Sequence, residues 1–376
     1  MSAAIGWLPR DAQARAPLAG VRVLDFSELL PGPFLTQCLV ELGADVLKVE
    51  RPPLGDPVRR SSPALFAAIN RGKRSLLANL KEAQDRAAVL SLAHEADVLI
   101  ESFRPGVFDR LGLGYAALSA RNARLVHLSL SGYGATGPRE QWPGHDINYL
   151  ATAGVLAMAI AGGSNGAAPS FGVPMADLNA AVYALAALNA ALLQRERTGR
   201  GQQLDVSITD CSLHWMNARL PVLRQATDTD AAAQRKRVLQ RPGYGVFRCR
   251  DGVLITVAAL EDHFWTALVA TLGLHALAGE AHGKYRDRAA DAPTLNTAVA
   301  TALAALDSDD AIARLLQADV PVSEVAAPEG LHEHPQLAAR GLFTDSAVGP
   351  LCRFPVRLEA MVEALPPSPR LGADAA

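Results

Sequence analysis

Between residues 21 and 208, short β-branched apolar runs alternate with longer helix-forming stretches, and this alternation constrains the fold more than any other feature of the chain. Residues 21–26 (VRVLDF) read as a buried strand. Pro31-Gly32-Pro33 then breaks the chain before an apolar helix over residues 34–42, and residues 45–49 (DVLKV) form a second strand. The grammar repeats: strand 75–80 (SLLANL), helix 81–94, strands 97–100 (DVLI) and 125–130 (LVHLSL), an Ala/Leu-rich helix 175–195 and a strand at 204–208 (LDVSI). Strands linked by helical crossovers make a mostly parallel sheet covered on both faces. The expected fold class is α/β.

At 376 residues the chain is too long for that domain alone. The polar segment 224–240 (RQATDTDAAAQRKRVLQ) is the expected linker between a large domain, 1–223, and a small α+β domain, 241–330. The small domain opens on a hairpin turning at Asp251-Gly252, with helical patterns at 264–274, 295–306 and 310–318. Residues 331–376 are Pro-rich and are expected to return to the large domain.

Charge narrows the partners. With 36 Lys and Arg against 38 Asp and Glu, a general nucleic-acid binder and an electrostatically held membrane protein are disfavoured. No 18 apolar residues follow one another, so no membrane partner is expected. Cys38, Cys211, Cys249 and Cys352 are scattered without CxxC spacing, which suggests neither a metal site nor a disulfide framework, and a cytoplasmic location fits best.

The turn after the first strand reads SELLPGP where a dinucleotide site needs GxGxxG, so a nicotinamide or flavin enzyme is disfavoured. Arg51, Lys81, Arg104 and Arg110 follow successive strands. Such positions converge on one rim of a doubly wound sheet, where cations either solvate the surface or hold a phosphorylated ligand. A Gly/Pro-rich loop over residues 131–144 leads into His145, which is either a general base or a helix cap. Asp177 heads the long apolar helix, as a cap or as a nucleophile held near a helix N-terminus. Glu261 ends the strand VLITVAAL, where capping is again the plain reading.

Taken together, VRVLDFSELLPGP, GADVLKVERP, NRGKRSL, ADVLIESFRPGVFDRLGL, LSGYGATGP, GHDINY, the Asp177 segment and RTGRGQQLDVSITD resemble the family III CoA-transferases, also called the CaiB/BaiF family. These motifs cover residues 19 to 210 in family order, and weaker matches extend to about residue 343. The resemblance implies a Rossmann-like large domain with a mostly parallel sheet joined to a smaller α+β domain, in an interlocked homodimer acting on CoA thioesters, with coenzyme A entering as part of the substrate and no tightly bound cofactor. The implied CoA contacts are Arg51, Ala78, Asn79, Leu80, Lys81, Ser102, Phe103, Arg104, Pro105, Gly106, Arg110 and Gly144, Asp146, Ile147, Asn148 and Tyr149. Asn79 stands where relatives often have Asp.

Two chemistries divide the family. In its transferases an aspartate matching Asp177 attacks an acyl-CoA to give a mixed anhydride. In its α-methylacyl-CoA racemases, that aspartate and the histidine of GHDINY exchange the α-proton on opposite faces of an enolate. His145, Asp177 and Glu261 match the racemase set, and Leu30 replaces a glutamine of the formyl-CoA-type transferases. Against this, Asn179-Ala180-Ala181 replaces a Gly-rich run of the racemases. The residues therefore favour α-epimerisation of a 2-methylacyl-CoA, with CoA transfer as the alternative and a non-catalytic CoA-binding subunit as a third reading.

Overall fold

Six strands run parallel in the order β3-β2-β1-β4-β5-β6, comprising β1 (Arg22–Phe26), β2 (Asp45–Glu50), β3 (Arg74–Leu77), β4 (Val98–Glu101), β5 (Val126–Ser131) and β6 (Gln203–Ser207). The computed structural model describes residues 6–10, 15–161, 171–225, 231–362 and 364–374. The chain divides into two compact units. One comprises Met1–Leu156, Ser170–Ala218 and Ala338–Ala376, and the other Ala157–Pro169 and Arg219–Leu337.

Alternate strand residues face opposite layers, as a fully buried sheet requires. On one face Val23, Val46, Val98 and Val126 pack with Leu35 and Leu39 of helix α1 (Pro31–Glu41) and with Ala184 and Leu188 of the helix Met175–Thr198. On the other, Leu24, Leu47 and Leu99 pack with Val89 and Leu92 of the helix Ala83–Glu95. The helix Met175–Thr198 is long and apolar enough to cross a membrane by length and composition. Its Ala176, Ala180, Ala184 and Leu188 side lies in the core of this unit.

The start of α1 differs from the sequence expectation. Pro31-Gly32-Pro33 forms its first turn and does not break the chain, because a proline there lacks only a donor that would be unpaired anyway. Gly32 is needed for contact: a Cβ at this position would stand 2.1 Å from Ser27 Cβ.

Beneath this turn lies a fully buried charge network. The Asp25 carboxylate accepts from Ser27 N–H at 2.9 Å, the Ser27 hydroxyl and Thr36 Oγ1 at 2.6 Å, and pairs with Lys73 Nζ at 3.4 Å. Lys73 Nζ also donates to Asn70 Oδ1, Thr36 Oγ1 and Pro33 O. Lys48 Nζ donates to Ser27 O at 2.7 Å and pairs with Asp56 Oδ2 at 3.0 Å. Burial alone would raise the Asp25 carboxyl, but the ammonium groups of Lys48 and Lys73 and the two hydroxyl donors together hold it below its usual range. Burial pushes Lys73 down to about 7, against the attraction of Asp25.

The second unit carries an antiparallel sheet of β7 (Tyr244–Arg248), β8 (Leu254–Ala258) and β9 (Val322–Glu324). Helices Asp262–Thr271, Ala292–Leu303 and Ser308–Gln317 share its core through Trp265, Val299 and Leu315. The segment 224–240, expected as a linker, holds the helix Ala231–Leu239, and the second unit already begins at Arg219. Far along the chain, Asp374 Oδ2 accepts from Ser75 N–H at 2.9 Å and Pro366 O from Gly72 N–H at 2.9 Å, and Glu41 accepts from Phe354 N–H.

Lys48→Met removes the cation between two buried carboxylates and should cost about 3–5 kcal/mol of stability. Arg124→Ala breaks only the exposed pair with Glu196 and should cost under about 1 kcal/mol. Urea unfolding of the two variants measures the contrast.

Candidate active site

In an open parallel sheet, the loops leaving two neighbouring strands on opposite sides open a crevice at the carboxyl end, and here that point lies between β1 and β4. Glu28 N–H crosses it to donate to Ser102 Oγ at 3.0 Å. Leu29 takes the left-handed conformation, φ +68°, which strains a residue with a side chain. Its N–H reaches Asp56 Oδ1 at 3.3 Å, so the buried Lys48–Asp56 pair fixes the turn.

Above this point lies a cavity of about 670 Å³. Its wall comes from the loops after β1 (Glu28 to Pro31), β4 (Ser102 to Pro105) and β5 (Leu130 to Gly132), together with Trp142 to His145, Asn148, Tyr149, Asp177 and Ile208. Asp177 and His145 thus share one cavity.

Asp177 lies in the first turn of the helix Met175–Thr198. It is not the capping group. That role falls to Asp146, whose Oδ1 accepts from Ala176 N–H at 2.7 Å and Asp177 N–H at 3.2 Å. The Asp177 side chain is left to face the cavity, where burial first and the Asp146 charge second push its carboxyl up to about 7. Tyr149 closes the floor: its hydroxyl donates to Gly144 O at 2.6 Å, and its ring lies so close to Gly132 that a Cβ there would stand 2.4 Å from Cε1. Burial, then Asp177, raises its phenol to about 12. His145 is exposed, precedes the helix Asp146–Thr152, and donates its backbone N–H to Asn148 Oδ1 at 3.0 Å.

The residues expected to hold CoA separate into two groups. Ser102, Phe103, Arg104, Pro105, Gly144, Asn148 and Tyr149 line the cavity. Arg51, Ala78 to Lys81, Gly106, Arg110, Asp146 and Ile147 do not. Arg51 follows β2, Ala78 to Lys81 follow β3, and Gly106 and Arg110 follow β4, all on the same carboxyl edge. Asn79 makes a local turn, donating its N–H to Asp85 and accepting from Lys81 N–H. Arg51, Lys81, Arg104 and Arg110 are exposed, and among the described residues no ion pair engages them. A row of unspent cations suits phosphate groups.

Glu261 belongs to the second unit, where it is exposed and precedes the helix Asp262–Thr271. Asn179, Ala180 and Ala181, which stand in place of the Gly-rich run of the racemases, are buried in the helix Met175–Thr198. Their departure from a Gly-rich pattern does not alter the cavity wall. Sequence reading missed Glu28, Glu140 and Trp142, which line the cavity. Glu28 could have been found from its place directly after the first buried strand, a turn read above only for its missing glycines.

The sequence pattern of CoA-transferase family III matches residues 18–375. The acetyl-CoA:oxalate CoA-transferase of Acetobacter aceti is 33% identical, over 89% of this chain and 87% of its own. The succinate–glutarate CoA-transferase of Agrobacterium fabrum is 30% identical, over 95% and 94%. Among solved structures, a CaiB/BaiF family protein from Brucella suis superposes with a TM-score of 0.81 at 30% identity, covering 95% of this chain and 97% of that one. With the family pattern matched along nearly its whole length, the chain belongs to CoA-transferase family III.

Proposed function

We propose that the protein moves CoA between an acyl-CoA thioester and a free carboxylic acid, with Asp177 as the nucleophile. The observation that carries this reading is a carboxyl group free of capping duty, half-buried at a helix N-terminus in a cavity at the sheet's switch point. The names of the relatives, which are CoA-transferases, support transfer over the racemase reading favoured by the residues alone.

In the first step an Asp177 oxygen bonds to the thioester carbonyl carbon, the C–S bond breaks, and CoA leaves as a thiolate. The product is a mixed anhydride of Asp177 and the acyl group. The thiolate then attacks the Asp177 carbonyl carbon, releasing the first acid as its carboxylate and leaving Asp177 as a CoA thioester. A second carboxylate displaces the thiolate to give a new anhydride, and the thiolate attacks the new acyl carbonyl, forming the new acyl-CoA and freeing the Asp177 carboxylate, with no change of oxidation state. Arg51, Lys81, Arg104 and Arg110 would hold the phosphates of CoA at the rim. His145 in the same cavity is the specific observation that keeps the second reading, epimerisation of a 2-methylacyl-CoA, in which His145 and Asp177 act as the two bases. The working unit is proposed to be a homodimer. Exposed Val182 and Leu193 on the helix Met175–Thr198 support a partner there.

Hydroxylamine added with an active acyl-CoA should trap acyl transfer through Asp177, and Asp177→Ala should lower transfer at least a thousandfold. Rapid α-deuterium wash-in from heavy water on a 2-methylacyl-CoA, with no CoA passed to a free acid, would overturn transfer in favour of epimerisation. Only ionised Asp177 attacks, so kcat/KM should climb about tenfold per pH unit below about 7 and level off above it.

The same shift sets a stability cost. The folded state keeps a proton on Asp177 up to about pH 7, whereas the unfolded chain releases it near 4, so this contribution favours folding at low pH and is lost as pH rises through 7. Asp177→Asn should therefore stabilise the fold, with a gain that grows by about 1–3 kcal/mol between pH 5 and pH 8 in thermal melts.

A further inference from the structure

The cavity wall is unusual in its charge. Among the described residues that line it, Glu28, Glu140 and Asp177 are carboxylates, and Arg104 is the one permanent cation. The uncharged lining includes the apolar Leu29, Leu30, Val58 and Leu65 and the ring of Trp142, with Ser102 beside the Glu28 backbone. Arg104 itself follows β4 in the row of exposed cations at the rim.

Glu28 is the acidic residue set deepest in the fold's logic. It sits directly after β1, its backbone is tied across the switch point to Ser102, and the next residue is fixed by Asp56. Its carboxylate accepts no hydrogen bond and joins no ion pair of 4 Å or less among the described residues. Burial, aided by Asp56 and Glu50 and opposed by Arg51 and Lys48, already raises its pKa above the ordinary carboxylate value. A place that resists its own negative charge resists a second one more strongly.

We propose that this cavity takes an acyl group whose chain carries no negative charge, and that Glu28 is the specificity-determining residue that excludes dicarboxylic acyl groups. This rests on the acyl-CoA reading above and narrows it. A butyryl or isobutyryl chain meets the apolar wall beside Glu28, whereas the free carboxylate of a succinyl or glutaryl chain enters a space already lined by three acidic side chains. An uncharged acyl chain gains burial there, whereas a second carboxylate meets like-charge repulsion from Glu28, Glu140 and Asp177, with Arg104 at the rim as the one cation in the lining.

The test compares butyryl-, isobutyryl-, succinyl- and glutaryl-CoA on the full-length protein, reading binding by calorimetry and turnover by acyl exchange separately. Neutral acyl-CoAs should bind at least tenfold more tightly than succinyl-CoA. Glu28→Gln should shrink that ratio at least threefold by strengthening succinyl-CoA binding. Glu140→Gln is a second variant that should move the ratio in the same direction. Equal or tighter binding of succinyl-CoA by the unmodified protein would overturn the proposal, as would a ratio unmoved by Glu28→Gln. A neutral preference in binding without turnover of any acyl-CoA would sink the catalytic reading and leave this one standing. Efficient turnover of succinyl-CoA would do the reverse.

Discussion

Four charged side chains with no access to water, Asp25, Lys48, Asp56 and Lys73, hold together the part of the molecule on which everything else depends. They arise from neighbouring strands and the loops that follow them: Asp25 stands opposite Lys48 in the register of β1 and β2. A buried ion pair is a poor source of net stability, because desolvation consumes most of the attraction. Its value here is geometric. Each donor and acceptor must be matched, so the turn after β1 has one arrangement, and that arrangement includes a leucine in a backbone conformation it would not otherwise take.

From that turn the site follows by connection. The loop after β1 is tied to the loop after β4, and the loop after β5 passes over the Tyr149 ring that its glycine admits. Asp146 then performs for the long helix the service that a residue at Asp177's position would commonly perform for itself. Relieved of capping, the Asp177 carboxyl faces the cavity, and its ionisation is discouraged first by burial and second by the Asp146 charge that relieves it.

Much of this was legible in the sequence. The six strands were readable because a sheet buried on both faces leaves continuous apolar runs, and His145 and Asp177 were readable as candidates from their places at a loop exit and a helix start. Burial of Lys48 had one signal, a charge in the middle of DVLKV. Its partners did not, since Asp56 and Ser27 meet it only through the fold. The helix start at Pro31 was misplaced because two prolines look like a break until the first turn's unpaired donors are considered. The polar segment 224–240 reads as a linker by composition, and the helix Ala231–Leu239 within it is invisible to that reading because composition does not report backbone conformation. Glu28 went unnoticed because its importance lies in what is absent around its carboxylate, and no motif records that.

The order in which the two units are completed along the chain has a bearing on biosynthesis. The second unit is drawn almost wholly from Arg219–Leu337, whereas the first needs Ala338–Ala376 as well as its earlier segments. Asp374 meets Ser75 across 299 positions of sequence, at the edge strand β3. During translation the later-encoded unit has all its main segment in hand while the earlier-encoded one still exposes the β3 margin of its sheet. The usual N-terminal-first sequence of domain folding is inverted at that last step. An unpaired sheet margin is a place where nascent chains associate wrongly, and the closing segment 366–374 serves as its cover.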